Sequence, residues 1–268
     1  MQANESTVVA VIAEKPSVAR DIARVLGAQK LGAGFLQGNG YVVTWAIGHL
    51  VSLAQPHQIN PQWRHWSTAS LPMLPDHWPL VVYEKTRDQF ETVRKILTSQ
   101  RVARVVCATD AGGEGELIFR YIYEAAGCEK PVERLWISSL TAEAIRRGFD
   151  TLRPGSEYLP LAQAAAGRSR ADWLVGMNLS RAYSLTYNEE LSVGRVQTPT
   201  LAMIVERDLA IRRFVSESYL EVQATFHPVQ RASDITYEGL WFLASEKQVA
   251  AEDQTGAKSG VRAVKRRI

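Results

Sequence analysis

The chain has 268 residues, 46% of them hydrophobic and 22% charged, which is enough apolar material for one large domain or two smaller ones and excludes a disordered chain. The formal net charge of +3 permits a polyanionic partner without requiring one. Only Cys107 and Cys128 are cysteines, so the sequence encodes neither a disulfide framework nor a zinc site.

The sequence carries no targeting or membrane signal. No apolar stretch reaches the roughly 18 residues that a membrane span needs, and the amino terminus lacks a basic segment followed by a cleavage site. We therefore expect a cytoplasmic protein without membrane contact.

The first predicted unit is a strand followed by a helix. Residues 7–13, TVVAVIA, are too few for a helix and are apolar throughout, which is typical of a strand covered on both faces. Glu14 ends this run. Pro16 then opens a segment with apolar residues at helical spacing, and Gly27 closes it.

The same order recurs along the first 152 residues. RVVCATD precedes a predicted helix at 117–126, and VERLWI precedes a helix that Thr141 caps. YVVTWAI and LVVY are further strand candidates, and Phe90 lies on a helical stripe between them and the second unit. Strands alternating with helices predict an α/β fold with a largely parallel sheet.

Helices and antiparallel strands are predicted after residue 155. Residues 161–187 form a long helical stretch, and Thr198 as N-cap with Pro199 at the first position predicts the start of another helix. From Tyr219 polar and apolar residues alternate, which predicts a half-exposed antiparallel strand with ITYEGLWF as its partner.

Acidic residues follow two of the predicted strands. Glu14 and Asp110 each stand at the carboxyl end of an apolar strand, which is the edge where open α/β sheets bind ligands. Two carboxylates about 4 Å apart repel by about 1 to 4 kcal/mol, so such a pair is expected to hold a cation or share a proton. Oxygen ligands without His or Cys favour Mg²⁺.

Two other interpretations of this stretch stay open. Glu114 and Glu116 fall in a first helical turn, where the helix dipole favours acids without any function. The glycines of AGGEGE are typical of a phosphate cradle, but the Lys and Ser/Thr of a P-loop are missing and the acids would repel phosphate, so we expect no nucleotide cofactor.

Six ordered segments carry a family resemblance: VIAEKPSVARDIARVLGA, VTWAIGHL, ATDAGGEGELIFRYIYE, RLWISSLTAEAIRRGF, SRADWLVGMNLSRAYS and SVGRVQTPTLAMIVERD. Together they resemble the amino-terminal part of a type IA DNA topoisomerase of the topoisomerase III kind. The resemblance implies a Toprim domain at 1–155, a helical domain that binds single-stranded DNA at 156–215 and the incomplete start of a β-rich gate domain at 216–268.

The resemblance also implies a metal site and an activity. Glu14, Asp110 and Glu114 would bind Mg²⁺, and Glu14 would also act as general acid or base. The family breaks, passes and rejoins single strands of DNA without ATP. We expect the chain to be a monomer whose partner is single-stranded DNA, in a nucleoid, plasmid or mobile-element context.

DNA contacts are implied at one loop and its surroundings. The implied residues are Ser192, Val193, Gly194, Arg195, Val196, Gln197 and Thr198, with Arg168, Arg170, Arg181 and Trp66 nearby. An arginine beside a helix start offers a fork for phosphate together with free backbone N–H groups. The alternative interpretation is an exposed helix charge for each arginine and a core position for Trp66.

The sequence departs from the family in two ways. The family motif commonly reads Asp-x-Asp-Arg-Glu-Gly-Glu, or has Gly at its third place in some topoisomerase III relatives. This chain has Gly112 at the third place, which removes one potential ligand, and Gly113 in place of the arginine. We expect this loss of a charged fork to impair phosphodiester chemistry. The nucleophilic tyrosine of the family lies in a Tyr-Pro-Arg motif that is absent from these 268 residues.

These departures leave three hypotheses. The first is a type IA topoisomerase truncated before its tyrosine and inactive alone, and the second is a catalytically dead module that binds single-stranded DNA. The third, another Toprim-type protein such as a primase or nuclease, is disfavoured by the segment SVGRVQTPT.

Overall fold

The structure is a computed structural model that describes residues 7–218, 220–227 and 236–241. The chain divides into two compact units, Met1–Thr200 and Leu201–Ile268, and each is described by itself.

The first unit contains nine of the described strands. They are β1 (Val8–Ala13), β2 (Lys30–Gly32), β3 (Phe35–Gly38), β4 (Tyr41–Trp45), β5 (Val51–Leu53), β6 (Leu80–Val82), β7 (Val102–Ala108), β8 (Val132–Arg134) and β9 (Arg153–Pro154). Its helices are α1 (Pro16–Leu26), α2 (Pro56–Ile59), α3 (Arg87–Thr98), α4 (Gly113–Ala125), α5 (Ala142–Asp150) and α6 (Leu159–Tyr187). Helix α7 (Gln197–Arg212) begins in this unit.

A seven-stranded sheet forms the centre of the first unit, in the order β2-β3-β4-β1-β7-β8-β9. The four central strands β4, β1, β7 and β8 run parallel, whereas β2, β3 and β9 pair antiparallel at the edges. The predicted α/β fold with a mostly parallel sheet is confirmed.

One predicted strand lies outside this sheet. Residues 80–82 pair antiparallel with residues 51–53 in a separate two-stranded sheet. LVVY therefore forms a strand as predicted, but outside the central sheet, because its apolar pattern indicates a strand and carries no signal for its partner.

The two faces of the central sheet each carry a core. Ile12 of β1 and Cys107 of β7 point into a cluster with α3, α4 and Trp173 of α6, whereas Val11 and Val106 point into a cluster with α1 and α5. Successive residues of a strand point to opposite faces, so a strand buried on both sides must be apolar throughout. This is why TVVAVIA lacks alternation.

Local signals fix the ends of the first-unit helices. Pro16 opens α1, and Gly27 ends it in the left-handed conformation with a φ of 76°. Thr141 caps α5 by accepting a hydrogen bond from the backbone N–H of Ala144 at 3.3 Å. These three predictions are confirmed.

The predicted N-cap at Thr198 is wrong, since α7 already begins at Gln197. The Thr198 backbone N–H donates to the Gly194 carbonyl, which continues the helical hydrogen bonds one turn earlier. The Thr198 side chain instead accepts a hydrogen bond from the Gly194 N–H at 3.0 Å. The Thr198 side chain therefore stabilises the loop before the helix.

The second unit contains β10 (Gln223–Phe226) and β11 (Tyr237–Leu240), which pair antiparallel as predicted. Tyr219, where the predicted first strand begins, and Ile235 and Phe242, the two ends of its predicted partner, lie outside the described residues. None of the helices in the described ranges is long and apolar enough to cross a membrane.

Candidate functional site

Glu14 and Asp110 meet at the carboxyl edge of the central sheet. They follow the adjacent parallel strands β1 and β7, so the fold brings together residues 96 positions apart. The Asp110 backbone N–H donates to Glu14 Oε2 at 3.1 Å. The Glu14 side chain is 13% exposed, and that of Asp110 is 59% exposed, so the pair opens to solvent on the Asp110 side.

A cation of the chain itself lies between the two carboxylates. Lys15 Nζ is 3.8 Å from Glu14 Oε1 and 3.5 Å from Asp110 Oδ2. The ammonium group stands where a cation would compensate both charges, so the donor set fits a hard divalent ion. Mg²⁺ needs only one or two carboxylates because it keeps several waters.

Glu114 does not join this pair. Its Oε1 lies 2.8 Å from His49 Nε2, on the segment between β4 and β5. Among the described residues, no group of three or more His, Cys, Asp and Glu side chains is placed to hold a metal ion. The structure therefore brings together two of the three carboxylates to which the resemblance assigned the metal.

A buried ionic network lies behind residues 110–116, here called the acidic loop. Glu116 is fully buried, with Arg120 Nε 2.8 Å from its Oε1 and Arg134 Nε 3.1 Å from its Oε2. Burial also raises the pKa of the neighbouring Cys107 thiol to about 11. Glu116 is thus an internal partner of two arginines, a surrounding that the interpretation from the helix dipole did not include.

Each glycine of the acidic loop has a different environment. A Cβ at Gly115 would lie 2.2 Å from the Asp110 carbonyl oxygen, so only glycine permits this close approach. A Cβ at Gly112 would meet nothing within 4 Å, and one at Gly113 would touch Ala165 at an ordinary 3.6 Å. The two positions where the sequence departs from the family motif therefore have room for side chains.

A cavity of about 820 Å³ connects the acidic loop to helix α6. Glu114 and His49 line it on one side, and Arg168 and Asp172 of α6 line it on the other. The helix packs against α4, whose first turn belongs to the acidic loop. A ligand in this cavity would contact both acidic and basic groups.

Asp172 links two of the arginines to which the resemblance assigned DNA contacts, Arg168 and Arg195. Arg195 Nη1 donates to its Oδ1 at 3.0 Å, and Arg168 Nε lies 3.8 Å from its Oδ2. Both arginines keep large exposed fractions, 43% and 70% of their side chains. The structure therefore brings Arg195 beside Arg168, which lines the cavity, through their shared partner Asp172.

The loop of residues 192–198, here called the Arg195 loop, is attached to α6 by two serine hydroxyls. Ser180 Oγ accepts from the Val193 N–H at 2.9 Å and donates to the Val193 carbonyl. Ser184 Oγ makes the same pair of bonds with Leu191, just before the loop. The backbone is thereby fixed while the side chains of Arg195 and Val196 stay exposed.

Arg181 and Trp66 form part of a second cavity, of about 490 Å³. Ser192, Val193, Gly194 and Gln197 line the same cavity. Arg181 is only 6% exposed, and its guanidinium donates to the Trp63 carbonyl and lies 5.3 Å from the centre of the Trp66 ring. Burial lowers the pKa of Arg181.

The alternative interpretations of these two residues are wrong. Arg181 is not an exposed helix charge, and Trp66 is not a core residue, since its ring is 46% exposed. Arg170 lies differently again, with its guanidinium 5.7 Å from the centre of the Trp78 ring. Arg181 and Arg170 thus support tryptophan rings.

Sequence reasoning missed four residues of this region. They are Lys15, His49, Arg134 and Asp172. A signal existed for Asp172, because it follows Arg168 by four positions on a predicted helix. Lys15 directly follows Glu14, but only the tertiary structure places its ammonium against Asp110.

The chain is similar to known proteins over most of its length. Residues 9–140 match the Toprim domain, and residues 156–267 match the family described as DNA topoisomerase. The DNA topoisomerase 3 of Shouchella clausii (strain KSM-K16) is 54% identical over 250 residues, 93% of this chain and 33% of that protein. The DNA topoisomerase 3 of Bacillus subtilis (strain 168) is 50% identical over 214 residues, 80% of this chain and 29% of that protein.

A solved structure has a similar fold. The full-length topoisomerase I from Thermotoga maritima superposes with a TM-score of 0.54 at 21% identity, over 91% of this chain and 37% of that chain. The chain thus spans about a third of the length of the curated relatives that it matches. It belongs to the type IA DNA topoisomerases, where it is similar to the topoisomerase III kind.

Proposed function

We propose that the chain provides the acidic residues of the active site and part of the DNA-binding surface of a type IA topoisomerase. Such an enzyme breaks and rejoins single-stranded DNA with Mg²⁺. The observation that carries the proposal is the meeting of Glu14 and Asp110 across adjacent parallel strands, with Lys15 between them. Bound Mg²⁺ would supply positive charge beside a phosphate.

The roles of the chain's own residues follow from their surroundings. Glu14 and Asp110 would hold the ion, and Glu14, which is mostly buried, would also exchange a proton with the departing sugar oxygen. Glu114 would stay with His49 at the rim of the larger cavity. Arg168 and Arg195 would contact phosphates of a single strand that follows α6.

Most of the other residues to which the resemblance assigned DNA contacts would act at the second cavity. Trp66 offers an exposed ring on which a base can stack, and Arg181 holds this ring from behind. The peptide groups of Ser192, Val193, Gly194 and Gln197 would line the path of the strand. Val196 and Thr198 belong to the same loop, whereas Arg170 would contribute through Trp78.

A second function, a single-stranded DNA-binding module without chemistry, is favoured by three features. Lys15 already compensates the two carboxylates, Gly112 offers no third carboxylate, and Gly113 offers no arginine. The sequence also contains no Tyr-Pro-Arg motif. We propose that the chain alone binds single-stranded DNA as a monomer and does not relax supercoils.

The first experiment tests whether the chain alone cleaves DNA. The purified chain is incubated with negatively supercoiled plasmid and Mg²⁺ and then trapped with denaturant. We expect no relaxation and no covalent adduct. A covalent adduct would sink the proposal that this chain cannot cleave DNA.

The second experiment tests the acidic residues of this chain within a complete enzyme. The matching segment of the Bacillus subtilis DNA topoisomerase 3 is replaced by this chain. We expect weak Mg²⁺-dependent relaxation, a loss of activity with Glu14→Gln, and a gain of about tenfold or more with Gly113→Arg, since a fork on phosphate stabilises developing charge. Full activity of the Glu14→Gln chimera would refute the assigned role, and equal activity of Gly and Arg at 113 would refute the impairment.

A further inference from the structure

The buried side chain of Arg134 donates hydrogen bonds to several backbone carbonyls around the acidic loop. Its Nη1 donates to the carbonyls of Cys107, Thr109 and Leu135 at 3.1, 2.8 and 2.9 Å, and its Nη2 donates to the Asp110 carbonyl at 2.7 Å. The side chain is 0% exposed. One guanidinium therefore holds the end of β7 and the backbone that leads from it to α4.

The Asp110 peptide is fixed from three directions. Arg134 holds its carbonyl, Gly115 packs against the same oxygen, and the Asp110 N–H donates to Glu14. The Thr109 hydroxyl also donates to the Gly115 carbonyl at 2.7 Å, which ties the two ends of the loop together. The direction of the Asp110 side chain thus depends on where Arg134 holds the peptide.

Stability alone does not account for this arrangement. Removing a guanidinium and a carboxylate from water costs more than their attraction usually returns, so a buried pair such as Arg134 and Glu116 adds little net stability. A planar fork with five donors can hold several carbonyls at fixed angles, which the single ammonium of a lysine cannot do. The geometry is that of a side chain that determines a backbone conformation.

We propose that Arg134 is a positioning residue, which holds the acidic loop so that Asp110 presents its N–H to Glu14 and its carboxylate to a divalent cation. Glu116 and Arg120 support it: Glu116 compensates the charge of Arg134, and Arg120 ties Glu116 to the Gly155 carbonyl at 2.7 Å. The part of this proposal that concerns the cation rests on the proposed function.

The test replaces Arg134 with lysine, which keeps the charge beside Glu116 but loses the fork. Amide hydrogen exchange, resolved by NMR on the full chain, is measured at residues 107–116. We expect the Asp110 amide to exchange about tenfold faster or more in Arg134→Lys, since a lost hydrogen bond to a charged group loosens the loop by at least this factor.

A matched control separates positioning from a general loss of stability. Leu97→Ala removes a fully buried side chain of α3, away from the acidic loop, and lowers the melting temperature. We expect Leu97→Ala to change the amide exchange rates of residues 107–116 by no more than those of the rest of the central sheet. Where Arg134→Lys does not fold, Arg134→Met combined with Glu116→Gln removes both buried charges and is expected to give the same fast exchange.

The second readout is the affinity for Mn²⁺, used as the probe and followed by water proton relaxation. We expect Arg134→Lys to weaken Mn²⁺ binding about tenfold and Leu97→Ala to leave it unchanged. Unchanged exchange of the Asp110 amide in the Arg134 variants overturns the inference, whatever the Mn²⁺ result. Mn²⁺ binding that Glu14→Gln and Asp110→Asn do not weaken refutes the proposed metal site, while the exchange result still decides the role of Arg134.

Discussion

The acidic loop lines the larger cavity and the Arg195 loop lines the smaller one, and the two loops are held in opposite ways. The acidic loop is fixed from inside by Arg134, Glu116 and the close approach of Gly115. The Arg195 loop is fixed by serine hydroxyls on its backbone, and its arginine is compensated at the surface by Asp172. The difference matches the ligands proposed for the two loops, since a small cation needs a rigid frame, whereas a flexible strand can be held by adaptable charged side chains.

The largest effect is expected where the acidic loop is most tightly packed. Gly115→Ala would place a methyl group 2.2 Å from the Asp110 carbonyl oxygen, so we expect a loss of about 3 kcal/mol in the free energy of unfolding. Gly112→Ala, with nothing within 4 Å, is the control; it replaces only the N-cap residue of α4 and should lower the free energy of unfolding by less than about 1 kcal/mol. Urea denaturation measures both, and equal losses would contradict a packing role for Gly115.

The next effect concerns the core behind the acidic loop at alkaline pH. Burial raises the pKa of Cys107 from an ordinary 9.0 to about 11, so the folded chain keeps the thiol protonated where the unfolded chain ionises it. The contribution of the protonated thiol to the free energy of unfolding is fully present below pH 9. It falls by about 2 to 3 kcal/mol as the pH rises to 11.

Denaturation curves of the wild type and of Cys107→Ala at pH 8, 9.5 and 11 check this sign. We expect the stability advantage of the wild type to shrink as the pH rises. Val106→Ala, a neighbouring core change without a titrating group, should keep a constant difference from the wild type. A Cys107→Ala difference that is also independent of pH would refute the effect of burial on the thiol.

A smaller effect is expected at the attachment of the Arg195 loop. Ser184→Ala leaves the N–H and carbonyl of Leu191 without the hydroxyl that both contact, so we expect a loss of about 1 to 2 kcal/mol in stability. The affinity for a fluorescent single-stranded oligonucleotide should also fall. Thr186→Ala removes an exposed hydroxyl from the same helix and should affect neither quantity. Equal oligonucleotide affinity in Ser184→Ala would show that the attachment does not matter for binding.

The smallest effect on stability is expected for the exposed arginine. Arg195→Ala breaks a surface ion pair with Asp172, which contributes less than about 1 kcal/mol. Its effect on DNA should be clear, because each lost phosphate contact lowers the slope of log affinity against log salt by about 0.7 for a single strand. Fluorescence anisotropy between 50 and 200 mM salt measures the slope, with the exposed Arg147→Ala on α5 as control. An unchanged slope in Arg195→Ala would remove this residue from the DNA path.

The sequence by itself determined the frame of the site. Apolar runs without alternation indicated buried parallel strands, and Glu14 and Asp110 at their ends indicated a shared edge, because the carboxyl ends of parallel strands meet at one side of a sheet. Pro16, Gly27 and Thr141 are local signals, which act within a few residues and can be read without the fold.

Only the tertiary structure decided which charges meet. Arg134 reaches four carbonyls from a short strand, Lys15 turns toward Asp110, and Glu114 turns to His49. These contacts join segments up to 95 residues apart, and no periodicity in the sequence encodes them. Long polar side chains have many rotamers of similar energy, so the surrounding packing selects the partner, whereas an apolar run needs only to be buried.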